Sequence, residues 1–123
     1  MEIRYHTFPF LSDKGGPRQQ HMRFAFTDPV VQAAVFLKGY SVNFSDGDHE
    51  LGQLTVQLDT QIVNHAPDGP EVVVYATLGL RDSGSFDDKY AGSIDMCLLA
   101  ETRRIRPPIV GPEVVETEPV VEP

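Results

Sequence analysis

The residues best suited to chemistry lie in the stretch NFSDGDHELG, residues 43–52. It places Asp46, Asp48 and Glu50 at alternate positions, as the first ligands of an EF-hand calcium loop are placed. An EF-hand loop also needs a bidentate glutamate near its end, and Gln57 stands at that position. The stretch is therefore not an EF-hand. A turn with Asp-Gly chemistry and a calcium site of another kind both remain open.

A second acidic segment, residues 82–90, follows a later apolar run. If successive strands run up and down, the segments 45–50 and 82–90 lie at the same end of the fold, where loops of sandwich proteins mostly bind their ligands. We therefore predict a ligand-binding pole there, with calcium as a possible cofactor. The candidate residues are Asp46, Asp48, His49, Glu50, Asp82, Asp87, Asp88 and Tyr90.

Enzymatic chemistry has little support in the sequence. The four histidines show neither HxH nor HExxH spacing, so no zinc motif is present. There is no G-x-S-x-G elbow and no glycine-rich phosphate loop between a strand and a helix. We expect a protein that is not an enzyme and has no catalytic residues.

Charge and cysteine content narrow the partners and the location. With 18 acids and 10 bases the net charge is −8, which opposes binding to nucleic acid or to an anionic membrane. The single cysteine, Cys97, excludes an internal disulfide and is expected to be a small buried apolar side chain rather than a reactive thiol. The first residues lack the layout of a signal peptide, so the default expectation is a cytoplasmic protein, with leaderless export left open.

The dominant periodicity is two, which is typical of half-buried strands. It predicts an all-β fold, an antiparallel sandwich of six or seven strands joined as a meander. LSDKGGPRQQ is expected to be an exposed loop, and the run 30–44 one long strand with a bulge near Gly39; a helical turn over 30–34 is the alternative. The alternating runs are MRFAF, VVQAAVFLKGYSVNF, LTVQLDTQIV, EVVVYATLGL and SIDMCLL. Val73, Tyr75 and Leu99 would be apolar residues on the outer faces, which favours assembly.

The composition changes near Arg106. Residues 106–123 hold five prolines, several acids and paired valines, but no aromatic residue. Such a segment is expected to be extended. We therefore divide the chain into a sandwich domain, residues 1–105, and a C-terminal tail, residues 106–123. The tail is either a solvated appendage or an arm that docks on a neighbouring subunit.

Residues 24–100 resemble the H-type lectin domain in the order and pattern of their strands. The matching pieces are RFAFTDPVVQAAVFLKGYSVNF, GQLTVQLDTQI, VVVYATLGLRD and GSIDMCLLAE. The resemblance implies a six-stranded antiparallel sandwich that assembles as a trimer and binds galactose-type sugars at subunit junctions. On that basis the acidic loops would accept sugar hydroxyls, and Phe86 or Tyr90 would stack on an apolar sugar face.

Two functions follow as hypotheses. The first is a non-enzymatic, lectin-like module that binds carbohydrate through the acidic pole. The second is a structural or assembly protein, of the virion or appendage type, whose C-terminal arm docks on a neighbouring subunit. Both predict a homo-oligomer.

Overall fold

The computed structural model describes residues 1–45, 51–82 and 88–103, and this part of the chain is all β. The strands are β1 (Glu2–Asp13), β2 (Arg18–Ala25), β3 (Val30–Phe44), β4 (Gln53–Val63), β5 (Glu71–Arg81) and β6 (Tyr90–Thr102). The six strands confirm the prediction of an all-β fold. Within these residues no helix is long and apolar enough to cross a membrane.

The strands form two antiparallel three-stranded sheets that enclose one core, a sandwich-like arrangement. One sheet has the order β1-β6-β3 and the other the order β2-β5-β4. Only β4 and β5 are neighbours both in sequence and in a sheet; every other connection crosses between the sheets. The predicted meander is therefore wrong, because turn residues show where a chain reverses and not which sheet it enters next.

The core is built from the inward-facing rows of both sheets. Alternate residues of β5 and β6 are completely or almost completely buried, and phenylalanines of β1 and β2 pack against them. Burial of these side chains drives the two sheets together. The core residues are Phe8, Phe10, Phe24, Phe26, Val30, Val72, Val74, Ala76, Leu78, Leu80, Tyr90, Ile94, Met96, Leu98 and Ala100.

The edge between β1 and β2 is closed by polar side chains that point inward. The guanidinium group of Arg18 donates to the carbonyl oxygens of Leu11 and Tyr90, each at 2.9 Å, and its carbon lies 4.3 Å from the centre of the Tyr90 ring. The Tyr90 hydroxyl lies 3.2 Å from the carbonyl oxygen of Leu78 in the opposite sheet and 3.1 Å from that of Gly15. We call this arrangement the Arg18–Tyr90 clamp. It joins β1, β2, β5 and β6.

Two local predictions are settled by the strand bounds. The run 30–44 is a strand throughout, with a register shift between Leu37 and Gly39, so the predicted bulge is confirmed and the helical alternative is wrong. The predicted loop 11–20 is shorter than expected, because β1 continues to Asp13 and β2 begins at Arg18. Pairing of the strand β1 with β6 orders the segment despite its polar residues.

Two glycines in the β1-β6-β3 sheet give a matched test of this packing. A Cβ atom added at Gly92 would collide with the carbonyl oxygen of Ser41 and lie 2.9 Å from the Cα atom of Val42, whereas one added at Gly39 would meet nothing within 4 Å. We expect Gly92→Ala to lower the free energy of unfolding by about 3 kcal/mol, because backbone on the paired strand must move.

Gly39→Ala is the control and should stay within about 0.5 kcal/mol of the unchanged protein. Urea unfolding followed by circular dichroism measures both values. Equal losses for the two variants would contradict the observed β3–β6 pairing.

Candidate functional site

The flanks of the two acidic segments lie together at one end of the fold. The backbone N–H of Ser45 donates to the carbonyl oxygen of Lys89 at 2.9 Å, and that of Gly52 donates to the carbonyl oxygen of Arg81 at 2.8 Å. The connection after β3 is thus tied at its start to β6 and at its end to β5. Both acidic segments leave the sheets from neighbouring points.

Part of the predicted site can be placed on this frame. Asp82 follows β5 directly and Asp88 lies two residues before β6, and both are half-buried. The guanidinium group of Arg81 donates to the carbonyl oxygen of Asp82 at 3.2 Å and to the side-chain oxygen of Gln53 in β4. The other acidic-pole residues lie outside the described residues: Asp46, Asp48, His49, Glu50 and Asp87. Phe86 lies there too, as does the tail from residue 104 onward.

Tyr90 occupies a different environment from the one its place in the segment 82–90 suggests. Its side chain is completely buried in the core, and the Arg18 guanidinium covers its ring. The ring therefore supports the acidic pole from inside the fold, and it has no face open to a ligand. The sequence could have indicated this, since Tyr90 begins the alternating row that continues with Ile94, Met96 and Leu98.

The described residues offer no assembled metal centre. Among residues 1–45, 51–82 and 88–103, no group of three or more His, Cys, Asp or Glu side chains could hold a metal ion. Two of the histidines contact aromatic rings: His6 packs edge-on against Phe8 at 4.6 Å between ring centres, and His21 lies 6.0 Å from Tyr75.

A second surface stands out, of which sequence reasoning found only Leu99. The outer face of the β1-β6-β3 sheet exposes a set of apolar side chains, which we call the apolar outer face. Its members are Ile3, Tyr5, Phe36, Cys97 and Leu99. Cys97 is half-buried there and not buried in the core as predicted, because it belongs to the outward-facing row of β6; in the strand register it lies between Tyr5 and Phe36. The sequence does carry a signal for this surface: in the run 30–44, apolar residues occupy both odd and even positions, and therefore both faces of the strand.

The outer face of the opposite sheet is polar by contrast. Gln19 donates to Thr77 at 3.3 Å, and the Tyr75 hydroxyl donates to Gln61 at 3.1 Å. Val73 lies on this face but is 2% exposed, so the expectation that it adds apolar surface is wrong. Its register partners on either side, Arg23 and Gln61, are long polar side chains that suit such coverage.

Comparison of the chain with protein-family models, with curated proteins and with solved structures found no match. The resemblance to the H-type lectin domain therefore stays a prediction carried by the pattern of the strands.

The structure assigns different roles to two tyrosine hydroxyls, and this can be tested. Tyr90→Phe removes the buried hydroxyl that reaches the carbonyl oxygens of Gly15 and Leu78. We expect the free energy of unfolding to fall by about 1 to 2 kcal/mol, since buried acceptors lose their partner.

Tyr75→Phe removes a hydroxyl whose hydrogen bond to Gln61 is exposed, and it should change stability by about 0.5 kcal/mol or less. Both variants are compared in the same urea titration. If Tyr75→Phe lowers the free energy of unfolding as much as Tyr90→Phe does, the buried hydroxyl of the Arg18–Tyr90 clamp stabilises the fold no more than an exposed one.

Proposed function

We propose that this protein is a non-enzymatic binding module that takes carbohydrate at its acidic pole and acts as a homo-oligomer. The observation that carries the proposal is the pair of backbone hydrogen bonds from Ser45 to Lys89 and from Gly52 to Arg81. They join the start of each acid-rich segment to the end of the other, on strand ends that are themselves paired in the sheets. Binding groups on loops held by such a scaffold form the usual ligand site of sandwich proteins.

The chemistry of the pole suits a polyhydroxylated ligand. Carboxylate oxygens accept hydrogen bonds from hydroxyl groups, and bonds to an ionised acceptor are stronger than those between neutral groups. Asp82 and Asp88 both lie at this end, and the Arg81 guanidinium adds a donor beside Asp82. A sugar needs acceptors and donors together. Calcium, which also takes carboxylate oxygens, would bind through the same acids.

The test uses alanine substitutions at each acidic segment. We expect Asp48→Ala and Asp88→Ala each to weaken binding to the sugars recognised on a glycan array by about tenfold or more, because a charge-assisted hydrogen bond is lost. Asp68→Ala is the matched control: Asp68 is exposed in the β4–β5 turn, on the connection that starts from the opposite ends of these strands.

Binding is measured by titration calorimetry with and without calcium. Loss of binding on calcium removal would place the ion in the site, and unchanged binding would assign recognition to the acids alone. The proposal fails if no sugar on the array binds, or if Asp68→Ala weakens binding as much as the other two substitutions.

A second function, an assembly protein whose C-terminal arm docks on a neighbouring subunit, is favoured by the position at which β6 ends. The strand β6 ends at Thr102, and the backbone N–H of Arg103 donates to the carbonyl oxygen of Pro29 at 2.8 Å. This end of the sheet lies opposite the acidic pole. The C-terminal arm follows one end of β6 and the acidic pole lies at the other, so one chain could bind a ligand and dock on a neighbouring subunit.

Deletion of residues 107–123 tests this second function. If the arm holds subunits together, we expect the truncated chain to sediment with a lower mass than the full chain at the same concentration. An unchanged mass would contradict a docking arm and leave the first function standing. The sugar titration repeated on the truncated chain separates the two, since loss of the arm leaves the acidic pole intact.

A further inference from the structure

We infer that the apolar outer face of the β1-β6-β3 sheet is a self-association surface on which a second copy of this chain stacks face to face. The inference rests on the homo-oligomer in the proposed function and goes further by naming the surface and its symmetry. It depends on neither the sugar nor the arm.

The register of the strands gathers the exposed apolar residues into two adjacent rows. Cys97 of β6 is paired with Tyr5 on one side and with Phe36 on the other, and Leu99 is paired with Ile3 and Ala34. These rows cross all three strands. Tyr5 is 63% exposed and Phe36 51%, whereas the inward-facing Phe8 and Met96 are 1% and 0% exposed. Large side chains this open on one contiguous face mark an interaction site more often than isolated ones do.

The β-bulge extends this face with a charge. Lys38 occupies the register shift between Leu37 and Gly39, and its ammonium nitrogen lies 4.6 Å from the centre of the outward-facing Tyr5 ring. On β6 the neighbouring outward residue is Asp95, which accepts a hydrogen bond from the Thr7 hydroxyl at 2.5 Å. Lys38 and Asp95 therefore border the apolar rows at one end, and the exposed Glu101 borders them at the other.

Charge balance favours a second copy as the occupant. The chain carries a net charge of −8, so two copies repel each other unless they meet through a surface that is locally neutral. Around Tyr5, Phe36 and Cys97 the charge of Lys38 offsets that of Asp95, and Glu101 adds one acid beyond Leu99. A two-fold contact uses the same patch on both copies, so a patch with charges of both signs can set the base of one copy against an acid of the other.

The size and shape of the face also fit. The two apolar rows lie within the larger outer face of the whole sheet. Strands lie about 4.8 Å apart and rise about 3.3 Å per residue, so the outer face of three strands about ten residues long covers roughly 500 Å² in projection. Its solvent-accessible area is larger, and specific interfaces bury about 800 Å² on each partner. Two sheets with apolar faces pack about 10 Å apart.

The opposite sheet provides an internal contrast. Its outer face carries Gln19, His21, Asp59 and Gln61, all exposed, and its polar side chains hydrogen-bond to one another. The two sheets contribute to the same core, so core formation does not explain why only one outer face is apolar. A partner that covers the outer face of the β1-β6-β3 sheet explains this difference.

The test measures the mass of the full chain by sedimentation equilibrium for four proteins. We expect two copies for the unchanged chain and for the control His21→Glu, which adds one acid to the polar outer face. Phe36→Glu and Tyr5→Glu place an acid inside the apolar outer face, and we expect each to raise the dimer dissociation constant by at least about 100-fold. A cooperative thermal melt establishes that each variant is folded, and the highly exposed Tyr5 is the substitution that folding should tolerate best.

Each contrary outcome has a distinct meaning. A single copy for the unchanged chain at every concentration would overturn both this surface and the proposed homo-oligomer. Two copies for Phe36→Glu and Tyr5→Glu, or three copies for the unchanged chain, would overturn the face-to-face contact alone. Dissociation on deletion of residues 107–123 would also overturn it, because the tail would then hold the copies together.

Discussion

The contact between Arg18 and Tyr90 is the constraint on which the closed side of the fold depends. Arg18 belongs to β2 but donates to carbonyl oxygens of Leu11 in β1 and Tyr90 in β6, while the Tyr90 hydroxyl reaches back to Leu78 in β5. One arginine and one tyrosine thereby satisfy backbone groups from both sheets at an edge where strands do not pair with each other. The carbonyl oxygens of the network are paired, whereas the Arg18 Nε atom is buried without a hydrogen-bond partner among the described residues. The Arg18–Tyr90 clamp also occupies one β1 backbone carbonyl, that of Leu11, which would otherwise be open to another strand.

Closure of this edge affects two other parts of the molecule, the acidic pole and the apolar outer face. Tyr90 starts β6, so the clamp fixes the strand start beside which Ser45 and Lys89 are hydrogen-bonded, and the acidic pole is built on that point. The core then takes the inward rows of both sheets, and the apolar outer face remains as surface that no described residue covers. The proposed ligand site and the inferred association surface are therefore separate: one lies at the strand ends, the other on the outer face of a sheet.

Much of the fold could be predicted from period-two alternation, and the errors have physical reasons. The inward row of β5 and that of β6 from Ile94 onward are apolar, so their pattern predicts them correctly. In β1 the inward row begins with Arg4 and His6, whose contacts are with the rings of Phe26 and Phe8, and alternation alone does not identify such a row. The sequence predicts Tyr90 as a loop residue, because it shows the hydroxyl but not the two carbonyl oxygens with which the buried hydroxyl pairs. Sheet membership depends on long-range pairing and could not be read from the turns.

The measurement that tests the account most directly uses Cys97, the only cysteine of the chain and a member of the apolar outer face. The rate at which a maleimide labels its thiol is measured in the unchanged protein over a range of protein concentrations. If a second copy covers this face, labelling slows as concentration rises, in step with the sedimentation mass. A rate that stays constant while the mass doubles would contradict the account, because the copies would then meet through another surface.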